Sequence, residues 1–168
     1  MSPWEISLLG FFLATLLLSF LERKTAKQKR NLTFLVLIAF VGALSLARAR
    51  HWFISSLSWV TVGASLTAVL RLPKLSAQKL EVSRIALWNE ALGSALFCIG
   101  AYLLYATVES PSVWGLAFCL VGIFTRLGVV PFESLLFHRA QSGSLTMVGL
   151  STVLVPFCTT AYCWQWVG

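Results

Sequence analysis

The chain has 168 residues, of which 58% are hydrophobic and 11% charged, and its mean hydropathy is +0.82. Soluble domains carry about 25% charged residues, so the composition excludes a soluble globular enzyme and implies an integral membrane protein. The net charge of +7 would suit nucleic acid in a soluble chain. Here the bases gather in short gaps between apolar runs, the pattern of membrane topology signals, and no nucleic-acid partner is expected.

Six apolar runs follow one another, at about 3–21, 32–49, 52–70, 85–108, 113–137 and 142–166. Each is close to the ~20 residues that a spanning helix needs. A helix satisfies its backbone groups internally, as the bilayer demands. The expected fold is therefore an all-α integral membrane protein, one domain over residues 1–168, with about six transmembrane helices. The first run precedes its charge cluster instead of following one, and no small-residue cleavage site or Arg- and Ser-rich transit segment is evident. It is expected to remain as a helix.

The first gap, "ERKTAKQKRN", holds Arg23, Lys24, Lys27, Lys29 and Arg30. The second is minimal, with Arg48, Arg50 and His51. The third run is rich in Ser and Thr and is the weakest of the six. After it, "RLPKLSAQKLEVSR" carries Arg71, Lys74, Lys79 and Arg84. It reads as a solvated loop, although Leu72, Leu75 and Leu80 between the bases also suit an amphipathic segment along the surface. The fourth gap, "ESPS", has no base, and the fifth has His138 and Arg139. Six spans place the odd gaps on one side with ten Lys/Arg, against two on the other. That asymmetry predicts both termini outside, in the intermembrane or periplasmic space, and basic loops in the matrix or cytoplasm. The same loops suit anionic phospholipid.

Trp4, Trp52, Trp114, Trp164 and Trp166 fall near run ends, where aromatic belts form; Trp59 and Trp88 are less clearly placed. Cys98, Cys119, Cys158 and Cys163 all lie in apolar runs without a CxxC pair or a nearby histidine. They read as small packing residues, with no metal site.

The fifth run is unusual: "GIFTRLGVVPFESLLFHR", residues 122–139. Arg126 lies about thirteen residues in, near the bilayer midplane, where a charge costs about 2.5–3.5 kcal/mol on insertion scales. It needs a protein partner or water, and it reads either as a functional group or as a structural ion pair. Pro131 removes an amide and Gly128 weakens the same stretch, so the fifth helix is expected to be kinked or broken there. Glu133 shares the face of Arg126, but lies about 10 Å further along the axis, too far for a direct bond. Glu90, in the fourth run, is a candidate partner for Arg126 across the helix interface; it is equally placed to reach headgroups near Arg84. His138 reads as a surface histidine, with a proton relay as the alternative.

These residues carry a resemblance. "GIFTRLGVVPFESLLF" resembles the seventh helix of the antiporter-like subunits of respiratory complex I and their cation/proton antiporter relatives. That helix has a central lysine, where Arg126 stands, and a Val-Pro-Phe-His, against Val130, Pro131, Phe132 and Glu133. "NEALGSALFCIGAYLLYATVES", 89–110, resembles the preceding family helix, and "LSTV", 150–153, the following one. The similarity covers residues 85–157 and is nearest the NADH dehydrogenase subunit 2 branch. The first 84 residues match poorly.

The resemblance implies a reduced or split membrane-arm subunit of a proton-pumping NADH:ubiquinone oxidoreductase, with a structural role or a partial proton path. Its partners would be other membrane-arm subunits, including a separate chain with the missing half of the subunit. NADH, FMN, iron–sulfur clusters and ubiquinone would belong to the complex, and none to this chain. The mitochondrial inner membrane is the expected location, with the bacterial plasma membrane as alternative. The chain also departs from the pattern. It has about half the family's length or less, the 52–70 run lacks the family's carboxylate, and arginine replaces the central lysine. Arginine keeps its proton at essentially any pH, so it can tune a neighbour but cannot relay a proton. Two other classes stay open: a small independent transporter or channel, and a membrane scaffold or assembly protein.

Overall fold

The computed structural model describes residues 3–21, 25–71, 77–106, 112–127 and 155–167. They form α1 (Pro3–Leu21), α2 (Ala26–Ala47), α3 (Trp52–Arg71), α4 (Ala77–Ala106), α5 (Val113–Leu127) and α6 (Val155–Val167), with no strand among them. Among the described residues, three helical stretches are long and apolar enough to cross a membrane: Ala26–Ala47, Trp52–Val69 and Leu87–Ala106; Val113–Arg126 is a shorter apolar one. The protein is thus all-α, with helices suited to a bilayer. The expected break at Gly128 and Pro131 lies outside the described residues, as do Glu133 and His138.

The helices do not stop where hydropathy stops. α2 begins six residues before the 32–49 run, inside the first basic gap. Thr25 caps it: its hydroxyl accepts from the Gln28 amide, and the Gln28 side chain accepts from the Thr25 amide. That reciprocal box satisfies two amides that a helix start leaves open. Lys29, one turn into α2, donates to the Phe20 carbonyl at 3.0 Å, placing a cation at the C-terminus of α1, where the helix dipole favours it.

α4 corrects the reading of residues 71–84 more strongly. Residues 77–84 are not a solvated loop, nor a separate surface segment. They are the first turns of one 30-residue helix, about 45 Å long at 1.5 Å per residue. The bilayer core is only about 30 Å thick, so α4 outlasts its apolar stretch by several turns. Ala, Gln, Lys, Leu and Glu in "AQKLEVSRIA" are good helix formers, and nothing in that stretch interrupts the ladder.

From α1 to α5, each helix packs against the next and runs antiparallel to it. α2 meets α3 at Gly42, where an added Cβ would sit 3.0 Å from Val62 and 3.3 Å from the Ser58 carbonyl. α3 meets α4 through the stacked rings of Trp59 and Phe97, with centroids 4.3 Å apart, and through Trp52 edge-on to Tyr102 at 5.5 Å. The Tyr105 hydroxyl closes this end by donating to the Ala49 carbonyl at 3.0 Å. α6 packs on α2 and touches α5.

The α4–α5 contact is the closest. A Cβ on Gly100 would lie 2.5 Å from the Cys119 amide nitrogen and 2.7 Å from the Gly115 carbonyl. One on Gly122 would lie 2.7 Å from the Gly93 carbonyl. Small residues let helix backbones approach in this way where no hydrophobic force drives association. The Cys119 thiol uses the proximity and contacts the Phe97 carbonyl at 3.7 Å. This seam draws α5 close enough for a side chain near its end to reach α4 and α3.

Large apolar side chains cover the outward surface, among them Leu17, Phe34, Phe53, Leu57, Ile99, Trp114 and Phe124. The buried core, by contrast, includes Leu32, Val36, Leu46, Leu66, Phe97 and Ile123 together with a guanidinium, a carboxylate and several hydroxyls. Apolar outside with polar groups inside is the expected order for helices in lipid.

Candidate functional site

The polar centre forms where α3, α4 and α5 meet. Arg126 is 1% exposed and Glu90 8%. They form an ion pair between Arg126 Nη2 and Glu90 Oε1. The structure therefore brings together two of the residues singled out in the sequence, and it turns Glu90 inward to Arg126. The remaining candidates, Gly128, Pro131, Glu133 and His138, lie outside the described residues.

Each member is held by its own helix. Glu90 lies on α4 with Ser94 one turn later, and the Ser94 hydroxyl reaches back to Glu90 Oε1 at 3.4 Å. Ser94 Oγ also accepts from Arg126 Nη2 at 3.1 Å, so it bridges both charges. Arg126 approaches from α5, where Thr125 folds its hydroxyl onto the Val121 carbonyl at 2.7 Å and packs near Gly93 of α4.

The third helix supplies a receptor that carries no charge. Arg126 Nη1 donates to the Trp59 backbone carbonyl at 2.7 Å, and the guanidinium carbon lies 3.7 Å above the Trp59 ring centroid. Tryptophan is the best π partner for a cation, and desolvation raises the attraction to about 2 kcal/mol or more. Phe97 stacks on the same indole and Tyr162 of α6 lies 5.4 Å beyond Phe97, so an aromatic column fixes the ring that receives the charge.

Gly63 makes this geometry possible. A Cβ there would collide with both the Glu90 carboxylate and the Arg126 guanidinium. Any larger residue would occupy the site of the pair. Gly63 is eleven residues from the start of α3, about 16 Å along a helix of about 30 Å, so the charges sit midway through an apolar span. Opposite charges about 4 Å apart attract by about 4 kcal/mol at an effective dielectric of 20, and the site adds hydrogen bonds and a π face. The chemistry available is a fixed cation beside a carboxylate. Among the described residues no group of His, Cys, Asp and Glu could hold a metal ion.

Three members of the site were not among the site residues singled out in the sequence: Trp59, Gly63 and Ser94. For Trp59 a signal existed. It lies in the interior of an apolar run, away from the belts where membrane tryptophans collect, and so calls for an inner partner. Gly63 and Ser94 had no comparable signal, because small residues are common wherever membrane helices pack.

The fold and site together define an all-α membrane protein with one buried interhelical ion pair in its described core. The chain matches no family model, no curated protein and no solved structure.

Proposed function

We propose that this chain is a reduced antiporter-like membrane-arm subunit of a proton-pumping NADH:ubiquinone oxidoreductase. One observation carries the reading. Arg126 stands in the motif at the family's central lysine, and it meets a buried carboxylate across a helix interface midway along α3. The 52–70 run lacks the family's carboxylate; here α4 supplies one through Glu90, and Gly63 of α3 leaves room for it. Because arginine holds its proton, the pair acts as a fixed charge that ties α3, α4 and α5. The role is structural, or part of a proton path completed by a neighbouring chain.

In this reading the chain has about six spans with a fifth helix kinked or broken at Pro131, and both termini face the intermembrane space of the inner mitochondrial membrane. The bacterial plasma membrane is the alternative. Other membrane-arm subunits, a chain with the missing half and phospholipids are the partners. NADH, FMN, iron–sulfur clusters and ubiquinone sit elsewhere in the complex.

The test is a native gel of mildly solubilised membranes, stained for NADH oxidation, with this chain followed by mass spectrometry. Migration with a large NADH-oxidising band supports the reading. Migration alone or as a small oligomer overturns it and leaves an independent transporter or a scaffold.

A further inference from the structure

Among the described residues, three helices start on a capping side chain. The Thr25 hydroxyl caps α2, and the Ser112 hydroxyl accepts from the Gly115 amide at 3.2 Å at the start of α5. α3 starts on an imidazole instead. His51 directly precedes it, and the His51 carbonyl accepts the first helical bond, from the Ser55 amide at 3.0 Å. His51 Nδ1 accepts from the Phe53 amide at 3.3 Å. A residue that does both is an N-cap, and its side chain satisfies one of the amides that a helix start leaves open. Hydroxyl caps do not titrate at working pH. Histidine is the side chain type that changes charge between about pH 5 and 8.

The bond fixes the state of the ring. An acceptor nitrogen carries no proton, so the capping imidazole is neutral, with its proton on Nε2. A second proton can go only to Nδ1, where it turns the acceptor into a donor that faces the Phe53 N–H. It also sets a cation at the positive end of the α3 dipole. Tyr105 of α4 holds the ring in position. The two rings stack with centroids 6.4 Å apart, and the Tyr105 hydroxyl bonds the Ala49 carbonyl two residues before His51. The Trp52 ring lies 6.0 Å from the imidazole. Both centroids are at or beyond the ~6 Å reach of a cation–π contact, so neither ring replaces a lost cap. The other ionisable groups at this end are Arg48 and Arg50 on the approach from α2, and Tyr102 and Tyr105 on α4. Glu5 belongs to the same end by the antiparallel order of α1 and α2, and Glu109 follows α4 in sequence, outside the described residues.

We propose that His51 is a pH-operated cap on α3. The neutral ring secures the first turn, and proton uptake from the aqueous side that the ring faces releases it. His51 is exposed, so water reaches the ring directly. The turn it frees carries Trp52, whose ring packs edge-on to Tyr102 of α4. Release therefore loosens the end where α2, α3 and α4 meet. Trp59, which receives the Arg126 charge, lies eight residues further along, about 12 Å, so the ion pair stays outside the turn that the cap controls. By linkage, the contribution of the cap is present above the range in which histidine takes a proton, and it is lost as the pH falls through that range. The inference stands on the start of α3 and holds whichever membrane assembly the chain belongs to.

The test compares the full chain with His51→Asn and His51→Ala by unfolding in mixed micelles, at about pH 8 and about pH 5. Asparagine caps without titrating, and alanine does not cap. At the higher pH, His51→Ala should raise the unfolding constant about fivefold, a typical cap loss, and His51→Asn should not raise it. At the lower pH the unaltered chain should lose about fivefold more than His51→Asn does, and its advantage over His51→Ala should vanish. Two outcomes overturn the proposal: no loss in His51→Ala at the higher pH, or an equal response to pH in the unaltered chain and His51→Asn. The nitrogen NMR spectrum of chain labelled at histidine gives a second readout, with the His51 signals assigned by their loss in His51→Asn. At the higher pH the unprotonated nitrogen should be Nδ1, and the Phe53 amide should shift together with the ring as the pH falls. A ring that carries its proton on Nδ1 at the higher pH overturns the proposal.

Discussion

Removing one charge from the Arg126–Glu90 pair should not be equivalent to removing the other. Replacing Glu90 with methionine keeps the volume and removes the Glu90 carboxylate from a guanidinium that stays charged at any practical pH. Arg126 would retain the Trp59 carbonyl, the Trp59 ring and Ser94, and these three carry no charge. Breaking a buried pair in this way costs about 3–5 kcal/mol, which agrees with the Coulomb attraction of about 4 kcal/mol worked out above. The converse change, Arg126→Met, removes the cation from a buried carboxyl, and a buried carboxyl can shed its charge by taking a proton. Its cost should be smaller, about 1–3 kcal/mol, the range for an imperfectly satisfied buried polar group. The double variant carries no charge and fills the same space, so it should recover at least about 2 kcal/mol of the summed single losses. The assay is equilibrium unfolding of the full chain in mixed detergent micelles, read by tryptophan fluorescence. Single losses that simply add, or a Glu90→Met cost below about 1 kcal/mol, would refute a coupled buried pair.

Gly63→Ala should cost about 1–3 kcal/mol, the usual range for overpacking, because the new Cβ meets both charged groups at once; a thermal melt without loss would contradict that contact. Gly100→Ala should cost a similar amount, since its Cβ would press on the backbone of α5, which cannot yield as a side chain end can. Gly10→Ala on α1, with nothing within 4 Å, should instead gain up to about 1 kcal/mol from helix propensity, and it serves as the control for both glycines. Arg126→Lys should recover less than half of the loss caused by Arg126→Met, because an ammonium cannot reproduce a planar fork that bonds the Trp59 carbonyl, Glu90 and Ser94 together. For orientation, cysteines at Lys27 and Arg50 should react with an impermeant thiol reagent from opposite faces of a sealed vesicle; labelling of both from one face would contradict the arrangement of α2.

The sequence by itself determined the class. Composition and hydropathy specify helices in a membrane, because the bilayer leaves no other way to satisfy a long apolar backbone. It also singled out Arg126, since one charge deep in an apolar run stands out against its background, and it offered Glu90 as a partner with lipid headgroups as an equal alternative. Helix ends were less legible. Hydropathy reports where lipid is, whereas a helix ends where its ladder is capped or broken, so the starts of α2 at Thr25 and of α4 at Ala77 escaped it. The tertiary structure decided the rest. Only the antiparallel packing of α3 on α4 and the glycine seam between α4 and α5 bring Trp59, Gly63, Glu90, Ser94 and Arg126 to one point. Those five residues are spread over 68 positions of sequence. Their meeting depends on interhelical distances, which no periodicity along the chain encodes.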